Sequence, residues 1–263
     1  MNALERALIE KAGYEHGWEL VIESSDNAVT LASARHPATA RITGSTNGEW
    51  LLELSGERLC RELARDDTVR MVGGQSVAAA DIDALARSLR RAAELAQSLP
   101  NQSLLNYEKA VREALSRPLP ERTEVERTIR QRIGQDTFRA ALMDYWRGAC
   151  AVTGIDLPEV LRASHAKPWA DCATDAERLD VFNGFLLVAN LDALFDRGLI
   201  SFDDSGALVT SPRLSPERRA ELGLAANARL RWLAPEHTHY LAWHREKVFQ
   251  PQPANNGHRG EDV

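Results

Sequence analysis

An α+β protein in two folded parts is what the sequence predicts, and three observations carry that prediction. Residues 18–54 run as short β-like segments broken by turn residues, with helical patterns before and after them. The stretch SRPLPERTE, residues 116–124, sets two prolines among charges and reads as a linker. Residues 160–198 then read strand, loop, strand and short helix.

In chain order, MNALERALIEKAGYEHG (1–17) is an amphipathic helix. Strands follow near Leu20–Glu23, Val29–Ala34, Thr39–Thr43 and Trp50–Leu54. Ser25-Asp26-Asn27, His36-Pro37 and Thr46-Asn47-Gly48 supply the turns between them. Helices are expected over Glu57–Ala64 and Asp81–Leu99, the second with Ile82, Leu85, Leu89 and Ala93 at helical spacing. Together these make a small α+β domain over residues 1–100, with a recognition or regulatory role. Residues 101–124 add a helix and the proline-bearing linker. A long helix from Glu124 to about Trp146 opens a second domain over 125–250, with Ile129, Ile133, Phe138, Leu142 and Tyr145 at helical spacing. The polar end, 251–263, reads as disordered.

Composition narrows the function classes. With 44% of 263 residues hydrophobic and 27% charged, the chain has the balance of a soluble protein with room for two domains. No apolar run approaches the roughly 18 residues that span a bilayer, so no membrane association is expected. The acids in the first helix are wrong for a signal peptide. Three scattered cysteines, Cys60, Cys150 and Cys172, make no disulfide framework, which points to a reducing cytoplasm. A net charge of −6 argues against nonspecific coating of nucleic acid, so any polyanion must be met by a local patch.

The chemistry gathers around LRASHAKPW, where a strand over Val160–Ser164 ends on His165 just before a proline turn. A polar loop leads to Asn183-Gly184, a second strand runs to Ala189, and Asn190 is the expected N-cap of the helix LDALFDRG, closed by Gly198. Asp192 and Asp196 lie one turn apart on that helix and repel each other unless Arg197 or a metal ion intervenes. Asp192 suits the positive helix start, whereas Asp196 sits where the dipole opposes it. Carboxylate oxygens suit a hard ion such as Mg²⁺, which takes few protein ligands and keeps several waters.

The segments CAVTG, ASHAKPW and NGFLLVANLDALFDRGLISF resemble the HNH endonucleases, and RIGQDTFRAALMDYWRGA is similar to the helix leading into their core. The resemblance covers Arg130 to Ser211, with a weaker echo in YLAWHREKVF, and leaves residues 1–115 outside. It implies a ββα-metal nuclease domain acting on DNA with Mg²⁺ or Mn²⁺. His165 would be the general base, Asn183 the residue that ties the loop and orients the base, and Asp192 the metal ligand. Ser164 stands where the family often has a ligating Asp, so water or Asp196 would complete the site. The paired CxxC motifs of zinc-bearing members are missing, so no structural zinc is expected and Cys150 is read as a small buried residue. Lys167 and Arg197 are the candidate phosphate contacts. Among His237, His239 and His244, the last is the best functional candidate because it lies in the matched LAWHR. By analogy with chains of this size the resemblance implies a bacterial restriction or anti-phage nuclease, with DNA and a second copy of the chain, as a homodimer, for partners. The competing reading is a catalytically silent ββα module that binds nucleic acid or protein. A hydrolase of small phosphoesters is a third.

Overall fold

The computed structural model describes residues 1–44, 48–73, 75–116 and 123–251. The expected turn at Thr46-Asn47, most of the proline-bearing linker and nearly all of the polar end lie outside the described residues. The chain divides into two compact units, Met1–Tyr145 and Trp146–Val263, and it mixes helix and sheet as an α+β protein. None of the described helices is long and apolar enough to cross a membrane.

The first unit holds α1 (Ala3–Glu15), β1 (Leu20–Ser24), β2 (Ala28–Ala32), β3 (Thr39–Gly44), β4 (Trp50–Leu54), α2 (Glu57–Leu63), β5 (Met71–Val72), β6 (Ser76–Ala79), α3 (Ile82–Ser98), α4 (Gln102–Leu115) and α5 (Thr123–Tyr145). Asn2 begins α1 with a capping box: its side chain accepts from the Glu5 amide while Glu5 accepts from the Asn2 amide. The six strands form one antiparallel sheet in the order β1-β2-β3-β4-β6-β5. Alternation buries Val29, Leu31, Ala40, Ile42, Leu52 and Val77. Against them α3 turns its apolar stripe, Leu85, Leu89, Ala92 and Leu95. Trp18, fully buried, donates its indole N–H to the Leu89 carbonyl at 2.9 Å.

The helix α5, which the sequence pattern places at the start of the second domain, packs on α3 and α4 within the first unit. Its last turn is held by Arg91 of α3, whose guanidinium donates to the carbonyls of Asp144 at 2.6 Å and Tyr145 at 2.8 Å. A cation on the last carbonyls of a helix satisfies acceptors that have no partner within the helix. The Tyr145 hydroxyl reaches across to the buried Glu62 of α2 at 2.8 Å.

The second unit follows as β7 (Leu161–His165), α6 (Asp175–Arg178), β8 (Gly184–Val188), α7 (Ala189–Asp196), β9 (Ile200–Phe202), β10 (Leu208–Thr210), α8 (Pro216–Glu221) and α9 (Thr238–Lys247). Its core is aromatic. Trp146 stacks on Trp232 with ring centres 4.4 Å apart, and Phe185 of β8 sits 5.7 Å from Phe195 of α7 and 5.5 Å from Phe202 of β9. Every residue of β8 is buried, which explains its unbroken apolar run, GFLLV.

The expected cap at Asn190 is corrected by the structure. Val188 holds the N-cap position without a side-chain bond, and α7 begins at Ala189. Asn190 lies within the first turn and donates its amide to the Leu222 carbonyl at 3.2 Å, a tertiary bond that competes with capping. At the other end the expectation for Gly198 agrees with the fold. Its φ is +63°, and the Gly198 and Leu199 amides donate back to Phe195 and Leu194. A Cβ at Gly198 would run into the Val248 carbonyl just beyond α9.

Gly198→Ala therefore meets both a left-handed backbone and a backbone neighbour. It should cost at least about 2 kcal/mol and lower the melting temperature by roughly 4–8 °C. An unchanged melting curve would mean that this turn is not held against the Val248 carbonyl.

Candidate functional site

The β7–β8 hairpin pairs Ser164 with Phe185 and His165 with Gly184. It ends where the chain breaks into the loop between Ala166 and Asn183, and that loop is organised by one side chain. Asn183 is fully buried. Its Oδ1 accepts the Lys167 amide at 2.8 Å, and its Nδ2 donates to the Lys167 carbonyl at 3.2 Å, the Glu177 carbonyl at 3.1 Å and the Cys172 sulfur at 3.3 Å. Its own carbonyl accepts the Ala166 amide. One carboxamide, at the far end of the loop, thus bonds to its start and its middle.

The carbonyl next to the one that Asn183 holds belongs to Arg178, and it accepts from His165 Nε2 at 2.9 Å. A carbonyl only accepts, so the ring carries its proton on Nε2, and Nδ1 is the basic nitrogen. Burial pulls the half-buried ring from 6.5 down to about 4, with the bond to Arg178 opposing part of that shift. The imidazole is therefore neutral at pH 7. Trp169 stands edge-on to it, with ring centres 5.9 Å apart. The Arg178 guanidinium is fixed by the carbonyls of Trp169 and Cys172 and by Asp175.

His165 lines a cleft of about 320 Å³ with Ala163, Pro168, Trp169, Asp196, His244 and Val248. The expected carboxylates divide between two places. Asp196 faces this cleft. Asp192, one turn earlier and outside the lining, accepts the hydroxyl of the buried Ser164. Burial against the cleft walls, and then the charge of Asp192, push the Asp196 carboxyl from 3.8 up to about 6, while Arg197 pulls the other way. Among the described residues, no group of three or more His, Cys, Asp and Glu side chains is placed to hold a metal ion on its own.

The two candidate phosphate contacts differ. Lys167 is paired with Glu177 at 2.6 Å, so its charge is balanced inside the loop. Arg197 is exposed just beyond α7, beside Asp196. Cys150 is buried, and its sulfur accepts the Thr153 amide at 3.5 Å within a tight turn. Sequence reasoning missed Arg178 and Glu177, because a backbone acceptor and a loop-closing ion pair leave no motif. The ring of His244 is buried and lines the cleft. His239 is exposed, and His237 is buried in the aromatic core.

Residues 150–203 match the family model for the HNH endonucleases. The match spans the Cys150 turn, the hairpin, the loop, α7 and β9. Within the second unit, residues 150–203 are thus similar to an HNH endonuclease domain. No curated protein matches the chain.

Two outcomes follow from the loop. Because the folded pKa of His165 lies below the unfolded one, its contribution to stability is present above pH 6.5 and is lost as pH falls through about 4. Imidazole resonances followed by NMR should show His165 titrating near pH 4, and a midpoint near 6.5 would show the ring open to water. Asn183→Ala leaves several backbone groups stranded and should cost about 2–5 kcal/mol in a denaturant titration. A smaller loss would show that the loop holds itself.

Proposed function

We propose that the second unit is a divalent-metal-dependent endonuclease hydrolysing phosphodiester bonds of DNA. The observation that carries this reading is an imidazole fixed through Nε2 by the Arg178 carbonyl, sharing a cleft with Asp196. In this reading His165 Nδ1 takes the proton from the water that attacks phosphorus; the ring is unprotonated at pH 7, and its pKa of about 4, below the working pH that suits a general base best, lowers its basicity. Asn183 keeps the Glu177–Arg178 backbone in place, so the ring does not turn as the proton arrives. Arg197 meets a phosphate oxygen from the rim, whereas Lys167 acts chiefly inside the loop with Glu177.

The donor set fits a hard divalent ion. Asp192 and Asp196 lie one turn apart, and desolvation first and the charge of Asp192 second raise the Asp196 carboxyl. Mg²⁺ is commonly held by one or two carboxylates with water and phosphate oxygens around it, so Asp196, which faces the cleft, would hold it, and Asp192 would join by giving up the Ser164 hydroxyl. When bound, such an ion stabilises charge on the phosphate and on the leaving oxygen. Mg²⁺ and Mn²⁺ both suit these oxygens.

By analogy of context we read the whole chain as a cytoplasmic restriction or anti-phage nuclease. Residues 1–100 would serve targeting or regulation, and a homodimer would be the working assembly. The silent-module reading keeps one specific support, the bond that occupies Ser164 and Asp192 with each other.

Plasmid nicking with Mg²⁺ or Mn²⁺ separates the two readings. His165→Ala should lower the rate by about 10²–10⁴ whatever the metal concentration. Asp192→Ala should also lose activity but recover part of it at raised Mn²⁺. It should also lose the rise in melting temperature that a bound ion gives the native state. Wild-type protein that binds DNA yet never nicks it would leave the silent module as the function.

A further inference from the structure

The family match ends at residue 203, yet the cleft does not. Two of its lining residues, His244 and Val248, come from α9 and the turn after it. His244 is buried, 1% exposed, and both ring nitrogens are engaged. Nε2 lies 3.1 Å from the Phe195 carbonyl, and Nδ1 lies 2.9 Å from Ser201 Oγ. Only Nε2 can donate to a carbonyl, so Nδ1 accepts the serine hydroxyl, and a single tautomer is defined. The ring also stacks face to face on Phe195, with centres 3.9 Å apart and planes 1° from parallel. The Phe195 carbonyl is one of the last acceptors of α7 and belongs to the peptide that leads into Asp196.

The chain just past α9 continues this hold. The Gln250 amide donates to the Gly198 carbonyl at 2.9 Å, and its side chain donates to the Arg197 carbonyl at 2.9 Å. Val248 closes over Gly198. The carbonyls of Phe195, Arg197 and Gly198, on either side of Asp196, are thus each held by a residue outside the matched segment.

We propose that His244 is a positioning residue: by fixing the Phe195 carbonyl against β9 it aims the Asp196 carboxylate into the cleft that holds His165. This rests on the nuclease reading above and extends its machinery beyond residue 203. His244 touches no reacting atom. It acts through the orientation of Asp196, so its loss should appear in turnover and in metal binding more than in affinity for DNA. A misplacement of about 1 Å in a catalytic group costs up to about 10²-fold in rate.

The test compares wild type, His244→Ala, His244→Gln and Ser201→Ala, with His165→Ala as the inactive control. It reads kcat and KM on duplex DNA, and the melting-temperature shift on adding Mn²⁺. His244→Ala should lose about 10- to 100-fold in kcat, keep KM within about twofold and show a smaller Mn²⁺ shift. His244→Gln, whose amide reaches the Phe195 carbonyl, should recover most of both. If His244→Ala does not fold, Ser201→Ala carries the test. It removes the hydroxyl that fixes the ring and should lower kcat and the Mn²⁺ shift in the same sense. Wild-type kcat and Mn²⁺ shift in a folded His244→Ala, or in Ser201→Ala where that variant carries the test, would overturn the proposal. Wild type that fails to cut DNA overturns the nuclease reading instead, and the Mn²⁺ shifts of the four proteins still report whether His244 places Asp196.

Discussion

The buried carboxamide of Asn183 is the constraint on which the second unit's site depends. A loop between two strands must satisfy its backbone groups away from water, and here a side chain with one acceptor and two donors does so for the segment between β7 and β8. The order of dependence is clear. Asn183 fixes the Glu177 carbonyl, the following carbonyl at Arg178 then stands where His165 can reach it, and that bond decides which imidazole nitrogen is basic. Aspartate in place of Asn183 would keep the acceptor and lose both donors, so a nearly isosteric change breaks the chain of causes at its first link.

The first unit uses the same device with a different residue. Arg91 spans from α3 to the final carbonyls of α5 and also pairs with the nearly buried Asp66 at 3.3 Å. A planar guanidinium with several donors suits a helix end, where acceptors cluster within a few ångströms. In both units, then, one multivalent polar side chain inside the fold sets the geometry of an element that apolar packing alone would leave loosely specified.

Much of this was legible in the sequence, for physical reasons that differ by element. The strands β2 to β4 showed because alternation and turn residues mark a half-buried antiparallel sheet, whereas β1, exposed along its length, showed by its short apolar run before a turn. The strand β6 did not, since SVAA carries too little apolar contrast to stand out. Asn190 looked like a cap because its residue type is the same in either role, and only the position of Leu222 decides between them. In the candidate site, His165, Asn183 and Asp192 were singled out because the segments that carry them resemble the HNH endonucleases. The Arg178 carbonyl was not, since every residue has one. Asp196 was recognised as the acid that the helix dipole disfavours. That it, and not Asp192, lines the cleft depends on how α7 lies along β7, which spacing alone does not give.

The bonds from His244 and Gln250 to the end of α7 also order events in time. A chain grows from its N-terminus, and the β7–β8 hairpin with α7 lies within residues 161–196, before α9 is made. The far wall of the cleft is supplied by residues made well after that hairpin. A nascent chain thus carries the hairpin and its histidine before it carries the wall. A truncated product ending short of α9 would keep the matched segment while leaving the Phe195 carbonyl without its imidazole. The finished cleft therefore exists only once α9 and the turn after it are in place.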